Sequence, residues 1–250
     1  MLTLFSVPKP FLGEIAAIQR RAVESWTALD VQVVLLGDEA GVAEAARELG
    51  PEHVAGLERT AHGTPRLDSA FSLADGVARY PQRCFVNADV ILGADLLMAA
   101  HAVSRAAPRF LVVGQSVEDG KPRGAAALDW FVFPADLYGD VPPFAIGRAC
   151  FDNWLIWKAR QVGIVVDATY DVRAVHQPHG YSHVEGGMQE AYYGEEAARN
   201  IELAGGKDHL YTLHDASHLL RGGKLRRNPG APLRWRENLR KLAWKLRIGR

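Results

Sequence analysis

The sequence predicts an α/β fold in which a mostly parallel sheet is flanked by helices. Apolar strand-like runs alternate with helical segments of roughly 10–15 residues, as they do in βαβ units. Polar residues also gather where the predicted strands end. With 250 residues and 48% hydrophobic content, the chain is long enough to bury one large core.

The elements follow one another in order along the chain. The predicted strands are short apolar runs bounded by Gly, Pro or Asp; they cover Thr3–Pro8, Val31–Asp38, Cys84–Leu92, Arg109–Gln115, Leu128–Pro134 and Gly163–Thr169. The predicted helices have an apolar stripe at helical spacing; they cover Glu14–Leu29, Val42–Leu49, Ser69–Tyr80, Ala94–Ala107, Asp152–Gln161 and Gln189–Ala204. Pro178 and Gly180 favour a strand that runs into a loop over 174–183.

The net charge of zero conceals an uneven distribution. Residues 221–250 hold eleven of the 29 Lys and Arg residues and a single acid, Glu237. Within them, 233–250 places Trp235 and three leucines on one helical stripe, which predicts a basic amphipathic helix. We therefore divide the chain into a domain at 1–220 and a basic tail at 221–250. The tail is predicted either to lie on an anionic membrane surface or to pack on the acidic domain.

Composition excludes several classes of protein. The sequence has no apolar stretch of about 18 residues, which argues against a transmembrane helix, and its N-terminus lacks the features of a secretory signal. Cys84 and Cys150 are the only cysteines and form no paired motif, which indicates reduced thiols and a cytoplasmic location. The acidic domain and the lack of a recognised motif argue against nucleic acid as a partner.

Ligands of an open α/β sheet bind outside the carboxyl ends of the strands. Pro8 and Lys9 follow the first predicted strand, Asp38 ends the second, and Asp89 lies late in the strand CFVNADVIL. The loop 62–69, HGTPRLDS, opens a helix and adds candidate ligands. A carboxylate among apolar neighbours loses hydration unless a positive group meets it, so Asp89 is the residue that most needs a partner.

In this order, the motifs over roughly residues 3–185 resemble those of GT-A nucleotide-sugar-dependent glycosyltransferases of the family 2 type. The resemblance implies that Pro8 and Lys9 lie near the nucleotide and Asp38 near its base or ribose. It equates Asn87-Ala88-Asp89 with the metal-binding Asp-x-Asp motif, with Asn87 in place of the first acid. Asn87 can hydrogen-bond a ribose or water but brings no charge.

The same resemblance implies a catalytic carboxylate and a late metal ligand. Asp152, in the segment GRACFDNWLIWKA, takes the place of the general base of inverting members. A histidine of AVHQPHGYSH, His176 or His179, would join Asp89 in binding Mn²⁺ or Mg²⁺, which neutralises a leaving diphosphate. Open alternatives are helix capping by Asp89 or Asp152, polar loop histidines, and a zinc site.

Other side chains are candidates for contacts with the donor. Arg66 can grip a phosphate and Asp68 a ribose or sugar hydroxyl, although a surface loop with Asp68 as a helix cap is an equal alternative. Arg123 can face the diphosphate, and a solvated turn is its alternative. Trp130 can pack against a sugar ring, whereas most of the aromatic residues are expected in the core.

The sequence therefore predicts an enzyme that transfers a sugar from a nucleoside-diphosphate sugar to a hydroxyl acceptor. A membrane-bound tail would suit a lipid-linked or envelope glycan acceptor and a peripheral position on the inner face of the membrane. Two alternatives remain. One is a sugar nucleotidyltransferase, although the loop after the first strand has only one glycine, Gly13. The other is a non-catalytic membrane-associated binding protein.

Overall fold

The computed structural model describes residues 2–180 and 186–230. The strands in these ranges are β1 (Leu2–Ser6), β2 (Gln32–Leu36), β3 (Glu52–Val54), β4 (Gln82–Val86), β5 (Val90–Ile91), β6 (Phe110–Glu118), β7 (Lys121–Pro122), β8 (Leu128–Pro134), β9 (Ile164–Asp167), β10 (Ala174–His176), β11 (His218–Arg221) and β12 (Lys224–Arg227). The helices are α1 (Gly13–Thr27), α2 (Val42–Leu49), α3 (Leu67–Val77), α4 (Asp95–Ser104), α5 (Phe151–Val162), α6 (Gly187–Tyr193) and α7 (Glu195–Leu203).

The main sheet has the strand order β12-β11-β9-β6-β8-β4-β1-β2-β3. Strands β3, β2, β1 and β4 run parallel to one another, and β11, β9 and β6 form a second parallel group. Strand β8 lies between the two groups and is antiparallel to both β4 and β6. This mixed, mostly parallel sheet with helices packed on it confirms the predicted α/β class.

Successive side chains of a strand point to opposite faces of the sheet, so the structure has one apolar core on each face. Along β8, Trp130 and Val132 face the core that contains Trp26 of α1, whereas Phe131 and Phe133 face the core that contains Trp154 of α5. The second core holds a chain of aromatic contacts, including stacked rings of Phe71 and Phe133 with centroids 5.3 Å apart. The sheet is therefore covered on both sides, as its nearly continuous apolar strands require.

Two predicted elements are interrupted in the structure. The strand Cys84–Leu92 is broken by a turn at 87–89, because the backbone there leaves β4 and pairs with a different strand at β5. The helix Gln189–Ala204 is two helices, since Gly194 between them is extended, with φ −73° and ψ −178°. The first interruption contains Asn87 and Asp89, two of the predicted site residues.

The basic end of the chain is described up to residue 230. Strands β11 and β12 form an antiparallel hairpin that joins the sheet through β9, so the predicted boundary at 220 falls within this hairpin. The predicted amphipathic helix at 233–250 lies outside the described residues, and the division into 1–220 and 221–250 stays a prediction. Among the described helices, none is both long and apolar enough to cross a bilayer.

Candidate active site

The turn that carries Asp89 lies just beyond the carboxyl end of the central strand β4. The amide nitrogen of Asn87 still donates to the Asp129 carbonyl of β8, at 2.9 Å, and Val90 then closes the turn by donating to the Asn87 carbonyl at 3.2 Å. The pairing of β4 ends here, so the side chains of the turn emerge at the edge where ligands of α/β sheets bind.

Strand β10 brings the histidines to this turn from late in the sequence. It pairs antiparallel with β5, where His176 lies opposite Val90, and the amide nitrogen of Gln177 donates to the Asp89 carbonyl at 3.1 Å. Beyond β10 the chain passes through Pro178 and places His179 beside the same carboxylate. The prediction of a strand running into a loop is confirmed for this segment up to Gly180.

The Asp89 cluster consists of Asp89, His176, His179 and Lys9. His179 Nε2 lies 2.7 Å from Asp89 Oδ2, and His176 Nε2 lies 4.0 Å from Asp89 Oδ1. The ammonium of Lys9 is 3.9 Å from Asp89 Oδ2 and 3.4 Å from His179 Nε2. The potential ligand atoms of the aspartate and the two histidines all lie within 4.8 Å of one another.

The cluster shifts the pKa values of its members. Burial alone would raise the pKa of Asp89, but the hydrogen bond from His179 and the charges of His176 and Lys9 outweigh it and lower that pKa. The hydrogen bond to Asp89 raises the pKa of His179. Burial lowers the pKa of Lys9, and the charge of Asp89 opposes this shift. The buried carboxylate is therefore held ionised among basic groups.

The cluster fits a divalent cation. Asp89 Oδ1 is buried and accepts no hydrogen bond from any residue in the described part of the chain, although unpartnered buried oxygens are rare. One carboxylate oxygen and two imidazole nitrogens form a donor set that suits Mn²⁺. Zinc would accept the same atoms, since two histidines and one carboxylate also form catalytic zinc sites.

A second group of charges adjoins the cluster through the hairpin β6–β7. Its two-residue turn, Asp119-Gly120, has positive φ at both positions, 49° and 75°, as in a type I′ hairpin. The turn sends the chain back so that Arg123 donates to Asp129 Oδ2 at 2.7 Å, while its Nε lies 3.4 Å from Glu118 Oε2. Glu118 Oε2 is also 2.7 Å from His176 Nδ1, although this nitrogen forms no aligned hydrogen bond among the described residues.

Asp129 is the buried centre of this second group. Its carboxylate accepts from the side-chain amide of Asn87 at 3.0 Å, from Arg123, and from the hydroxyl of Ser116 through a very short contact. The amide of Asn87, predicted to contact a ribose or water, is thus engaged with a carboxylate of the neighbouring strand. Arg123 likewise forms two ion pairs rather than lying in a solvated turn.

Asp152 lies in the first turn of α5 and is not its N-cap. That position belongs to Cys150, whose backbone is left-handed with φ 87°. Asp152 Oδ1 accepts from the amide nitrogen of Asn153 at 2.9 Å. Burial raises the pKa of Asp152 to about 7, and the negative charge of Asp129 adds to the increase. The residue as a whole is partly exposed, at the start of the helix.

Several candidate donor contacts are placed at the same edge of the sheet without joining the Asp89 cluster. Pro8 is buried, whereas Asp38 is exposed and accepts from the Gly56 amide at 2.9 Å. Arg66 pairs with Asp68, with 3.1 Å from Nε to Oδ1, and with Glu58 at 2.7 Å. The N-cap of α3 is Arg66 rather than Asp68, and no side chain caps it. Their contacts with a donor stay predictions.

The side chain of Trp130 is not accessible to a ligand. The side chain is 0% exposed and packs in the core next to Gly114, on which a Cβ would come within 2.9 Å of the ring. Its burial speaks against the predicted role in stacking on a sugar. The aromatic run WFVF is better explained by the two cores that alternate along β8.

Glu118 and Asp129 were not among the residues predicted for the site. The dipeptide Asp119-Gly120 between polar and apolar runs is a strong hairpin signal. A hairpin at this position returns the chain along β6 and brings Arg123 close to the two carboxylates.

The chain has the GT-A fold of nucleotide-sugar glycosyltransferases, as the predicted resemblance implied. No protein-family model matches the chain, and no curated protein matches it either. The chain is similar to solved structures. Because the sequence identities are low, this similarity establishes the fold alone.

Two of these solved structures contain nucleotide sugars. S. aureus TarS 1-349 in complex with UDP-GlcNAc has a TM-score of 0.54 and 14% identity, over 82% of this chain and 65% of that one. Glucosyl-3-phosphoglycerate synthase from Mycobacterium tuberculosis, in complex with Mn²⁺, UDP-glucose and phosphoglyceric acid, has a TM-score of 0.54 and 11% identity, over 82% and 80%. The chain thus spans less than two thirds of the TarS structure.

Proposed function

We propose that this protein is a glycosyltransferase that uses a nucleoside-diphosphate sugar, with a divalent cation held by Asp89, His176 and His179. One observation carries the proposal. Asp89 is buried at the ligand-binding edge of a GT-A sheet, with one carboxylate oxygen unpartnered among the described residues and two imidazoles beside it. Such an arrangement loses hydration without gaining a full set of partners, and a cation supplies the missing one.

The cation, Mn²⁺ or Mg²⁺, would neutralise the negative charge of the leaving nucleoside diphosphate when bound. Lys9 adds a positive charge of the protein itself at the same place. Its ammonium is held between Asp89 and His179, and the backbone of its loop is fixed by Gln19, which donates to the Lys9 carbonyl at 2.9 Å. The Asp89 carboxylate already lies beside this ammonium, and the phosphate groups of a donor would add further negative charge between Lys9 and the cation.

Asp152 serves as the general base in this proposal. It would take the proton from an acceptor hydroxyl, which then attacks the anomeric carbon of the sugar from the side opposite the leaving group and inverts it. A base works best when its pKa lies near the working pH, and burial raises the pKa of Asp152 to about 7.

The acceptor is proposed from the basic end of the chain. In the hairpin β11–β12, Lys224, Arg226 and Arg227 are exposed with no acidic residue among them. Together with the rest of 221–250 they would bind an anionic membrane surface, at on the order of 1 kcal/mol per basic residue. The acceptor is then a lipid-linked or envelope glycan, and the enzyme acts in the cytoplasm at the inner face of the membrane.

A thermal-shift screen of nucleoside diphosphates and their sugars, each with and without Mn²⁺, tests the proposal. Ligands that bind the folded state raise Tm by mass action, so the donor should give the largest increase and Mn²⁺ should add to it. The variant Asp89→Ala should lose the Mn²⁺-dependent part of the increase.

Asp136→Ala is the matched control, because it removes a carboxylate that is 74% exposed. It should respond to nucleotide and Mn²⁺ as the wild type does. An unchanged Mn²⁺ response in Asp89→Ala would show that the cation site has been assigned to the wrong residues.

A further inference from the structure

The Asn87–Asp89 turn is enclosed by a nearly continuous series of polar contacts. From Asp89 the series passes through His176, Glu118, Arg123 and Asp129, and the side-chain amide of Asn87 closes it onto the same turn. The two polar residues of the turn are therefore linked both through the backbone and through this set of charges.

Asn87 acts in this series as a hydrogen-bond donor. Its Nδ2 lies 3.0 Å from Asp129 Oδ1, and the backbone of the two residues is also paired. Asp129 is only 7% exposed, so its carboxylate oxygens need hydrogen-bond donors from the protein. An aspartate at position 87 would set two carboxylates against each other at this distance, and such pairs cannot both ionise.

This arrangement fixes the position of the Arg123 guanidinium. Its Nη1 donates to Asp129 and its Nε lies near Glu118, while Nη2 has no hydrogen bond to any residue in 2–180 or 186–230. The side chain is 25% exposed. A guanidinium that is fixed on two sides and open on the third is ready to bind an anionic oxygen.

We propose that Asn87 is a positioning residue which, through Asp129, holds Arg123 ready to bind an anionic group of the substrate. Position 87 thus needs a donor and position 129 an acceptor, so Asn87 is not a weakened metal ligand. The inference rests on the proposed function for the identity of that anion, a phosphate group, but its test does not depend on the cation.

An exchange of the two side chains tests the proposal. UDP, GDP and inorganic pyrophosphate serve as probes, and their affinities are measured calorimetrically in EDTA. Asn87→Asp should weaken the affinity for the best probe at least tenfold and lower Tm by about 5 °C. Adding Asp129→Asn should bring affinity back to within about threefold of the wild type. In that double variant, the amide at 129 donates to the carboxylate at 87 and its carbonyl oxygen still accepts from Arg123.

The opposite reading makes opposite predictions. If Asn87 is a weakened metal ligand, Asn87→Asp restores an Asp-x-Asp pair and binds Mn²⁺ more tightly in an EPR titration, and Asp129→Asn gives no rescue. Either result would overturn the proposal, and so would a wild type that binds none of the three probes in EDTA.

Three further variants separate this inference from a folding defect and from the cation site. Arg123→Gln should lose the same probe affinity in EDTA as Asn87→Asp, with a smaller change in Tm, and unchanged affinity would contradict the proposal. Asp136→Ala, outside the site, should keep the wild-type affinity in EDTA, whereas Asp89→Ala should lose the gain from Mn²⁺. Failure of the cation assignment and failure of this inference therefore give different results.

Discussion

Two regions of the molecule bury a carboxylate in contrasting ways. In the Glu196 network, which joins the loop at 60–64 to α7, Glu196 accepts from Thr60 at 2.5 Å, Thr64 at 2.6 Å and Arg148 at 2.9 Å. These partners outweigh burial and lower the pKa of Glu196. In the Asp89 cluster, by contrast, one carboxylate oxygen is left without a protein donor in the described chain.

Under the proposed function, the difference separates a structural charge, Glu196, from a functional one, Asp89. Glu196 has a donor for each oxygen, so its network is complete and stabilises the packing of α7. Asp89 is buried with fewer donors than it can accept, an arrangement that stability alone would not favour. The predictions below test this contrast, from the largest expected effect to the smallest.

The largest effect is expected for Asp152→Asn. Loss of a general base should lower the rate of sugar transfer by about 10²–10⁴-fold, whereas Glu196→Gln should leave the rate of the folded enzyme nearly unchanged. The wild-type rate should rise with pH through about 7, because the Asp152 carboxylate must be ionised to accept a proton. Initial rates between pH 5 and 9 measure both effects, and a flat profile would contradict the assignment.

A smaller but still large loss is expected in metal binding. Asp89→Asn should weaken Mn²⁺ affinity more than about 100-fold, since changes to outer-shell partners alone cost 10–100-fold. Glu196→Gln should leave it intact. EPR titration of Mn²⁺ distinguishes the two, and equal affinities in both variants would remove the proposed contrast.

In the free energy of unfolding, we expect Glu196→Gln to have the larger effect. Glu196→Gln should cost about 2–4 kcal/mol in the free energy of unfolding, because it leaves Arg148 with a neutral partner in a buried network. Since the pKa of Glu196 is lowered by folding, this contribution is present above the unfolded pKa, near 4.5, and is lost as the pH falls through the folded value. Urea titrations at pH 7 and pH 3 should therefore show a smaller loss of stability on acidification for the variant than for the wild type.

The smallest effect concerns the hairpin beside the cluster. Gly120 has φ 75° and nothing within 4 Å of an added Cβ, so Gly120→Ala should destabilise by about 1 kcal/mol through backbone conformation alone. Gly76 lies in α3 with equally open surroundings and no positive φ, and Gly76→Ala should stabilise by about 0.5–1 kcal/mol. Thermal unfolding of the two variants should therefore shift in opposite directions.

Much of the fold could be predicted because its strands and helices have clear local periods. The strand from Leu128 to Pro134 has the predicted bounds, and so does α2. The break at 87–89 was not predicted, because apolar residues lie on both sides of Asn87 and Asp89. The pairing of β5 with the distant β10, which separates it from β4, is not visible in the local sequence. Gly194 is similar, because a single glycine within a helical period does not by itself end the helix.

Within the site, residue type predicted which side chains lie close together better than it predicted the contacts that Asn87 and Trp130 make. Asp89 was expected to meet His176 or His179, because the resemblance implied a late metal ligand, and the structure brings both histidines to it. The engagement of Asn87 with Asp129 depends on the register between β4 and β8, which pairs Val86 with Trp130. That register is a tertiary property, and neither strand reveals it alone. The burial of Trp130 follows from the same alternation along β8.

Strand β10 is only three residues long, yet it bridges β5 on one side and β6 on the other. A slip of one residue would turn His176 to the opposite face, so the imidazoles reach Asp89 only when both neighbours are correctly paired. During refolding, Mn²⁺ affinity should therefore return only after two segments separated by almost ninety positions in the chain have paired.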